Sequence, residues 1–132
     1  MTERELIESA QGLLNPYRTP GGRLFGDVAS TLVTERGNRF SGVCLDLGGG
    51  FCAERCAIGA MVTAREYRIA TIVAVWRHPD TAALYVLPPC GHCREVIRAV
   101  DPANLDTAVV LGIDHAVPLR ELLPYHEWPQ PL

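Results

Sequence analysis

The sequence contains no lysine: all twelve basic residues are arginines, scattered from Arg4 to Arg120 without a run or a helical stripe. Nucleic-acid binding usually shows a clustered basic footprint, so this scatter and a formal net charge of −3 argue against it. The missing lysine itself reads as a compositional habit and carries no function. No apolar run reaches the ~18 residues of a membrane span, and no basic flank precedes an apolar core as in an export signal. A cytoplasmic protein without membrane contact is expected. An even set of cysteines is also missing. The chain has five, Cys44, Cys52, Cys56, Cys90 and Cys93, and an odd number without an export signal argues against a disulfide framework. Reduced thiols or metal ligands remain. There is no internal repeat, linker or low-complexity stretch, and a composition 48% hydrophobic and 20% charged excludes a disordered chain. A chain of 132 residues can bury roughly two thirds of its unfolded surface, so one domain spanning 1–132 should form its core without a metal or disulfide.

Periodicity places the elements. Residues 2–14 carry Leu6, Ile7, Ala10, Leu13 and Leu14 on one helical face, with Thr2 as the cap, and "NPYRTPGG" ends that helix in a shaped loop. "VASTLVTERGNRFSGVCL" predicts a hairpin turning at Arg36-Gly37-Asn38. The glycines at 48–50 break the second strand, and "CAERCAIGAMVTAREY" follows as an alanine-rich helix, apolar almost all round and expected to be buried. "IATIVAVW" reads as a central strand covered on both faces, and Cys93, Val96, Ile97 and Val100 share a face of the next helix. "TAVVLGI" predicts another buried strand, followed by a short "HAVPL" and a final helical turn at "RELLPY". The order predicts an α/β fold: a mixed sheet of about five strands with helices on both faces.

Two cysteine clusters, "CAERC" and "PCGHC", both fall where a helix begins after a turn. Unpaired backbone N–H groups and the helix dipole favour thiolates there. Three such sulfurs converging on one point suit zinc, because three protein ligands leave the fourth tetrahedral position for water. A hydrolytic site also needs a base, and Glu54 stands two residues after Cys52 in the first helical turn. Rival readings exist. "PCGHC" alone also serves as a redox motif or half of a structural zinc site, but neither use explains Cys52 together with Glu54. Cys44 and Cys56 read as small buried residues, and His92, inside the x₂ of its motif, should point away.

The joint pattern of Cys52-Ala53-Glu54 and Pro89-Cys90-x-x-Cys93 resembles the zinc-dependent nucleoside deaminases. Cys rather than His in the first ligand position resembles the cytidine and blasticidin-S deaminases among them, and "VAS" at 28–30, "GV" at 42–43 and "RELLP" at 120–124 look most like the blasticidin-S branch. The resemblance implies a three-layer cytidine-deaminase-like fold and one Zn²⁺ per chain on Cys52, Cys90 and Cys93. It further implies a homotetramer with active sites near subunit contacts. The activity implied is hydrolytic removal of the exocyclic amine from a cytosine-like ring of a small molecule, a nucleoside or a cytosine-containing antibiotic such as blasticidin S. Water activated at the metal attacks the amine-bearing carbon while Glu54 protonates the ring nitrogen and then the leaving ammonia. Arg55 matches the arginine that offsets the thiolate charge in the small cytidine deaminases.

The departures concern the substrate. Where cytidine deaminases carry Gly-x-Asn-x-Glu against the ribose, this chain has Gly42-Val43-Cys44-Leu45-Asp46. A thiol replaces an amide that both donates and accepts, leaving Asp46 as the acceptor for a hydroxyl. Cys44, Asp46, Ala53 and Trp128 are the candidate substrate contacts, Trp128 serving its own pocket or a neighbour's. Gly26 stands where an aromatic ring lies on the pyrimidine in those enzymes, and Glu95 replaces the glutamine usual after Cys-Arg. The short glycine-rich segment from Cys44 to Cys52 should bring its backbone close to ligand or metal. Two alternatives stay open: deamination of another aminated heterocycle, and a non-catalytic zinc-stabilised scaffold.

Overall fold

The computed structural model describes residues 1–48 and 50–132; Gly49, in the glycine run of the sequence, lies outside the described residues. The chain runs through α1 (Glu3–Gln11), β1 (Tyr17–Arg18), β2 (Leu24–Phe25), β3 (Val28–Thr34), β4 (Arg39–Val43) and α2 (Ala53–Thr63). It continues with β5 (Ile69–Arg77), β6 (Leu84–Val86), α3 (Gly91–Val100), a 3-10 turn (Pro102–Asp106), β7 (Ala108–Gly112), β8 (His115–Pro118) and α4 (Leu119–Leu122).

Thr2 caps α1 as expected, in a capping box: the Glu5 N–H donates to Thr2 Oγ1 at 3.1 Å and the Thr2 N–H to Glu5 Oε2 at 2.8 Å. The helix stops at Gln11, short of the expected Leu14, with Gly12 as its C-cap. The shaped loop after it is a β1–β2 ribbon, pairing Tyr17 with Phe25 and Arg18 with Leu24.

The main sheet has six strands rather than about five, in the order β4-β3-β5-β7-β8, with β6 also on β5. The expected hairpin is β3–β4, antiparallel from Ala29↔Val43 to Val33↔Arg39. Strand β5 is central: β3 pairs antiparallel with it, β7 parallel at Thr71 and Ile72, and β6 antiparallel at Val75 to Arg77. Both partners beyond β3 are short, and the chain leaving β6 through Pro89 leads directly into α3.

Alternation along the strands builds two cores. On one face α1 sets Leu6, Ile7 and Ala10 against Ala29, Val73, Val75 and Val110. On the other, α2, α3 and α4 set Ala57, Ile58, Met61, Ile97 and Leu119 against Leu32, Ile72 and Val109. Helices therefore lie on both faces, and truncating a fully buried side chain such as Leu6 to alanine costs about 2–5 kcal/mol. Helix α2 can approach β4 only because residue 42 is glycine: a Cβ there would stand 2.6 Å from both the Cys56 Cβ and the Ala57 nitrogen. Contrary to the expectation of burial all round, α2 leaves Gly59, Ala60 and Val62 exposed on its outer side. The helix covers only one face of the sheet, so its far side is left uncovered among the described residues.

Buried polar groups fasten the ends. The Asn104 side chain accepts from the Ile69 N–H at 2.9 Å and donates to the carbonyls of Tyr67 and Ile97, joining β5, α3 and the 3-10 turn. Glu66 accepts from Thr34 Oγ1 at 2.7 Å and Asn38 Nδ2 at 2.8 Å, tying the end of α2 to the hairpin. Among the described residues no helix is long and apolar enough to cross a membrane.

Candidate metal centre and substrate cleft

Cys52 and Cys90 are the N-cap residues of α2 and α3, with extended backbones (φ −62°, ψ 149° and φ −66°, ψ 167°). Cys93 lies one turn into α3 and is fully buried. Two helix N-termini thus aim their unpaired N–H groups and dipoles at one spot. The three sulfurs lie within 4.8 Å of one another, and Cys52 Sγ is 3.8 Å from Cys90 Sγ. Zn–S bonds of ~2.3 Å at tetrahedral angles put sulfurs about 3.8 Å apart, whereas a disulfide needs ~2.05 Å. The donor set fits a tetrahedral thiophilic cation.

The protonation pattern agrees. Burial pushes the Cys93 thiol far up, helped by the adjacent Glu54 charge and by its bonds to the other two sulfurs. At Cys90 burial acts upward too, but the Cys93 N–H, the Cys93 and Cys52 thiols and the His92 N–H outweigh it and lower the value. Burial thus opposes the charged form most at Cys93, and a divalent ion held by the three sulfurs would displace their protons. Cys44 and Cys56 stay outside the cluster. Cys56 packs beneath Gly42, and the Cys44 thiol donates to Asp27 Oδ1 at 2.9 Å.

Glu54, in the first turn of α2, is only 6% exposed. Burial raises its carboxyl above the ordinary value, while its own N–H, the Cys93 thiol and the Arg55 charge pull the other way. A carboxyl so placed, touching the cluster, can hold or release a proton there. Arg55 Nη2 donates to Cys52 Sγ at 3.8 Å, and its buried Nε has no partner among the described residues. An unpaired buried donor costs about 1–3 kcal/mol, which is offset where the guanidinium faces thiolates that retain negative charge around a metal.

A cleft of about 350 Å³ opens beside Cys52, lined by Leu24, Asp27, Cys44, Asp46 and Phe51 among others. That volume suits a small ring-containing molecule. Of the sequence candidates, Cys44 and Asp46 line it. Ala53 is fully buried at the start of α2, and Trp128, 88% exposed, lines a separate groove of the C-terminal tail. Asp46 is partly occupied: Oδ2 accepts from the Leu24 N–H at 3.3 Å and its carbonyl from Arg23 Nη1 at 2.9 Å, which pins the β1–β2 ribbon over the cleft. Gly26 admits no ring, since φ is +76° and a Cβ would lie 2.5 Å from the Asn15 carbonyl oxygen. The aromatic of the cleft is instead Phe51, half exposed, in a bridge with Leu45. Gly50 approaches the centre: an added Cβ would lie 3.5 Å from Arg55 Nη2. Asp27 was missed by sequence reasoning because only the folded pairing sets it against Cys44.

No protein-family model matches the chain. Blasticidin-S deaminase of Bacillus cereus is 37% identical over 104 residues, 74% of this chain and 74% of that protein. The chain belongs to the cytidine and blasticidin-S deaminase family. Cytidine deaminase of Bacillus anthracis superposes with a TM-score of 0.75 at 24% identity, covering 94% of this chain and 88% of that one. Cytidine deaminase of Burkholderia pseudomallei gives 0.72 at 26% identity, covering 95% and 98%. The expected family and the three-layer fold are therefore borne out, and the strand count is extended by one.

Proposed function

We propose that the protein is a zinc-dependent hydrolytic deaminase that converts the exocyclic amine of a cytosine-like ring to a carbonyl and releases ammonia. The observation that carries this reading is the juxtaposition of a buried Glu54 carboxyl with three convergent sulfurs, since a purely structural metal clip has no use for that carboxyl. Cys52, Cys90 and Cys93 would hold the zinc, which when bound supplies a water acidic enough to act as nucleophile at neutral pH. Glu54 takes a proton from the incoming water, delivers it to the ring nitrogen beside the amine-bearing carbon, and then carries that water's second proton to the departing amine, which leaves as ammonia as the carbonyl forms. Arg55 offsets the excess thiolate charge, which would otherwise oppose loss of a proton from the water. Cys44, Asp46, Asp27 and Phe51 receive the remainder of the substrate.

Relatives named for blasticidin S and for cytidine support a free nucleoside or a cytosine-containing antibiotic as substrate. Thiol and aspartate in the ribose-facing positions favour a substrate other than plain cytidine. A homotetramer is the proposed assembly, supported by the uncovered Gly59, Ala60 and Val62 of α2 and by half-exposed Phe51 at the cleft; light scattering in solution measures it. The reaction is tested by ammonia release from zinc-loaded protein with cytidine, deoxycytidine, cytosine, blasticidin S and aminated purine nucleosides. Turnover of at least one cytosine compound is expected. No turnover of any of them contradicts the reading.

A further inference from the structure

The segment that delivers Cys90 to the cysteine cluster has little of its own to hold it. Pro88 and Pro89, between β6 and α3, have no N–H to give to a neighbouring carbonyl, and Cys90 itself is exposed. The other two sulfurs have visible support. Cys93 is fully buried within α3, and Cys52 Sγ accepts from Arg55. Pro89 is buried, so its carbonyl needs a donor. That donor is Arg94, in the first turn of α3: Nε donates to the Pro89 carbonyl at 2.8 Å and Nη1 to the Leu122 carbonyl at 2.9 Å. Leu122 ends α4, where the last carbonyls have no partner within the helix. Helix α4 is itself fixed, since Leu119 is fully buried in the same core as Ile97 of α3 and its N–H donates to the Thr107 carbonyl at 2.9 Å. A chain of contacts therefore runs from the core through Leu119, Leu122 and Arg94 to the residue before Cys90. Arg94 is in no ion pair among the described residues, so its guanidinium is a two-pronged strut between carbonyls rather than the partner of a carboxylate.

We infer that Arg94 is a positioning residue of the metal centre: it holds the Pro89 carbonyl, and with it the Cys90 sulfur, in place beside Cys52 and Cys93. The inference rests on the reading of these three cysteines as the zinc ligands. Arg94 lies outside the wall of the cleft beside Cys52, so it acts through Cys90 and not on the substrate. Loss of the strut frees the Pro-Pro segment, and the metal held through that segment should dissociate more readily. Lysine cannot replace it, because an ammonium is a compact point charge, whereas the two carbonyls here take N–H groups from different nitrogens of one rigid plane.

The test compares wild type, Arg94→Gln, Arg94→Lys and Arg98→Gln. Zinc affinity is measured by competition with a chromophoric chelator, alongside the absorption of the cobalt-substituted proteins and the thermal unfolding of the metal-free ones. Both Arg94 variants should lose about 10–100-fold in zinc affinity, the usual effect of removing an outer partner of a metal ligand, and should shift the cobalt–thiolate absorption. Arg98, one turn further along α3 and paired with Glu95, is the control and should match wild type. Arg94→Lys keeps charge and length, and carries the test alone where Arg94→Gln does not fold. Wild-type affinity and cobalt absorption in Arg94→Lys would overturn the inference whatever the melting temperature does, leaving Arg94 as an anchor of α4 only. An equal loss of affinity in Arg98→Gln would overturn it too, by assigning the effect to α3 as a whole. A wild-type protein without a cobalt–thiolate band removes the metal-centre reading itself, and the inference with it.

Discussion

At the scale of single residues, charge is the controlling quantity. Three thiolates around a divalent cation leave one excess negative charge, and Arg55 is the cation beside them, with its Nη2 on Cys52 Sγ and its Nε buried. Removing a partner of this kind typically costs about 10–100-fold in metal affinity or activity. Arg55→Gln should therefore lower zinc affinity by that order in competition with a chromophoric chelator, with the fold retained by circular dichroism. Unchanged affinity and activity would reduce Arg55 to a packing residue. The sequence made the cysteine cluster legible because each of its sulfurs is tied to a helix start by short spacing. Asp27 was not legible, since its partner Cys44 is reached only through strand pairing. Cys44 and Asp46 reach the cleft, whereas Trp128 stands apart from it in its own chain.

At the scale of elements, the helix starts and the β3–β4 hairpin follow from local signals: a cap, a Gly/Asn turn, β-branched runs. Strands β1, β2 and β6 are two or three residues long and exist through their partners, so no local pattern announces them. The junction of α2 with the hairpin depends on Glu66. Its bonds from Thr34 and Asn38 and the nearby Arg36 charge hold its carboxyl below the ordinary value, Thr34 contributing most. A lowered carboxyl stabilises the fold above its unfolded pKa, and the contribution is lost as pH falls through the folded value. Glu66→Gln should consequently melt at lower temperature than wild type at neutral pH. The gap should narrow through the acid side of the carboxylate range, as measured by thermal unfolding across pH. A gap independent of pH would mean that the hydrogen-bond geometry, not the charge, matters.

At the scale of the molecule, the sheet carries an apolar core on each face built from other side chains, and of the three clustered cysteines only Cys93 is fully buried. Folding should thus survive loss of the metal. A ligand bound only by the native state still adds stability in proportion to the logarithm of its concentration over Kd. Stripping with a strong chelator should lower the melting temperature while far-ultraviolet dichroism stays native, and added zinc should restore it. Collapse of secondary structure on chelation would instead mark a scaffold that needs the ion to fold. The central claim is that Glu54 moves protons in a site whose metal is held by other residues. The most direct measurement is zinc content and ammonia release on one preparation of Glu54→Gln. About one zinc per chain with turnover reduced by at least ~100-fold is the predicted result, and full turnover at unchanged zinc content would contradict it.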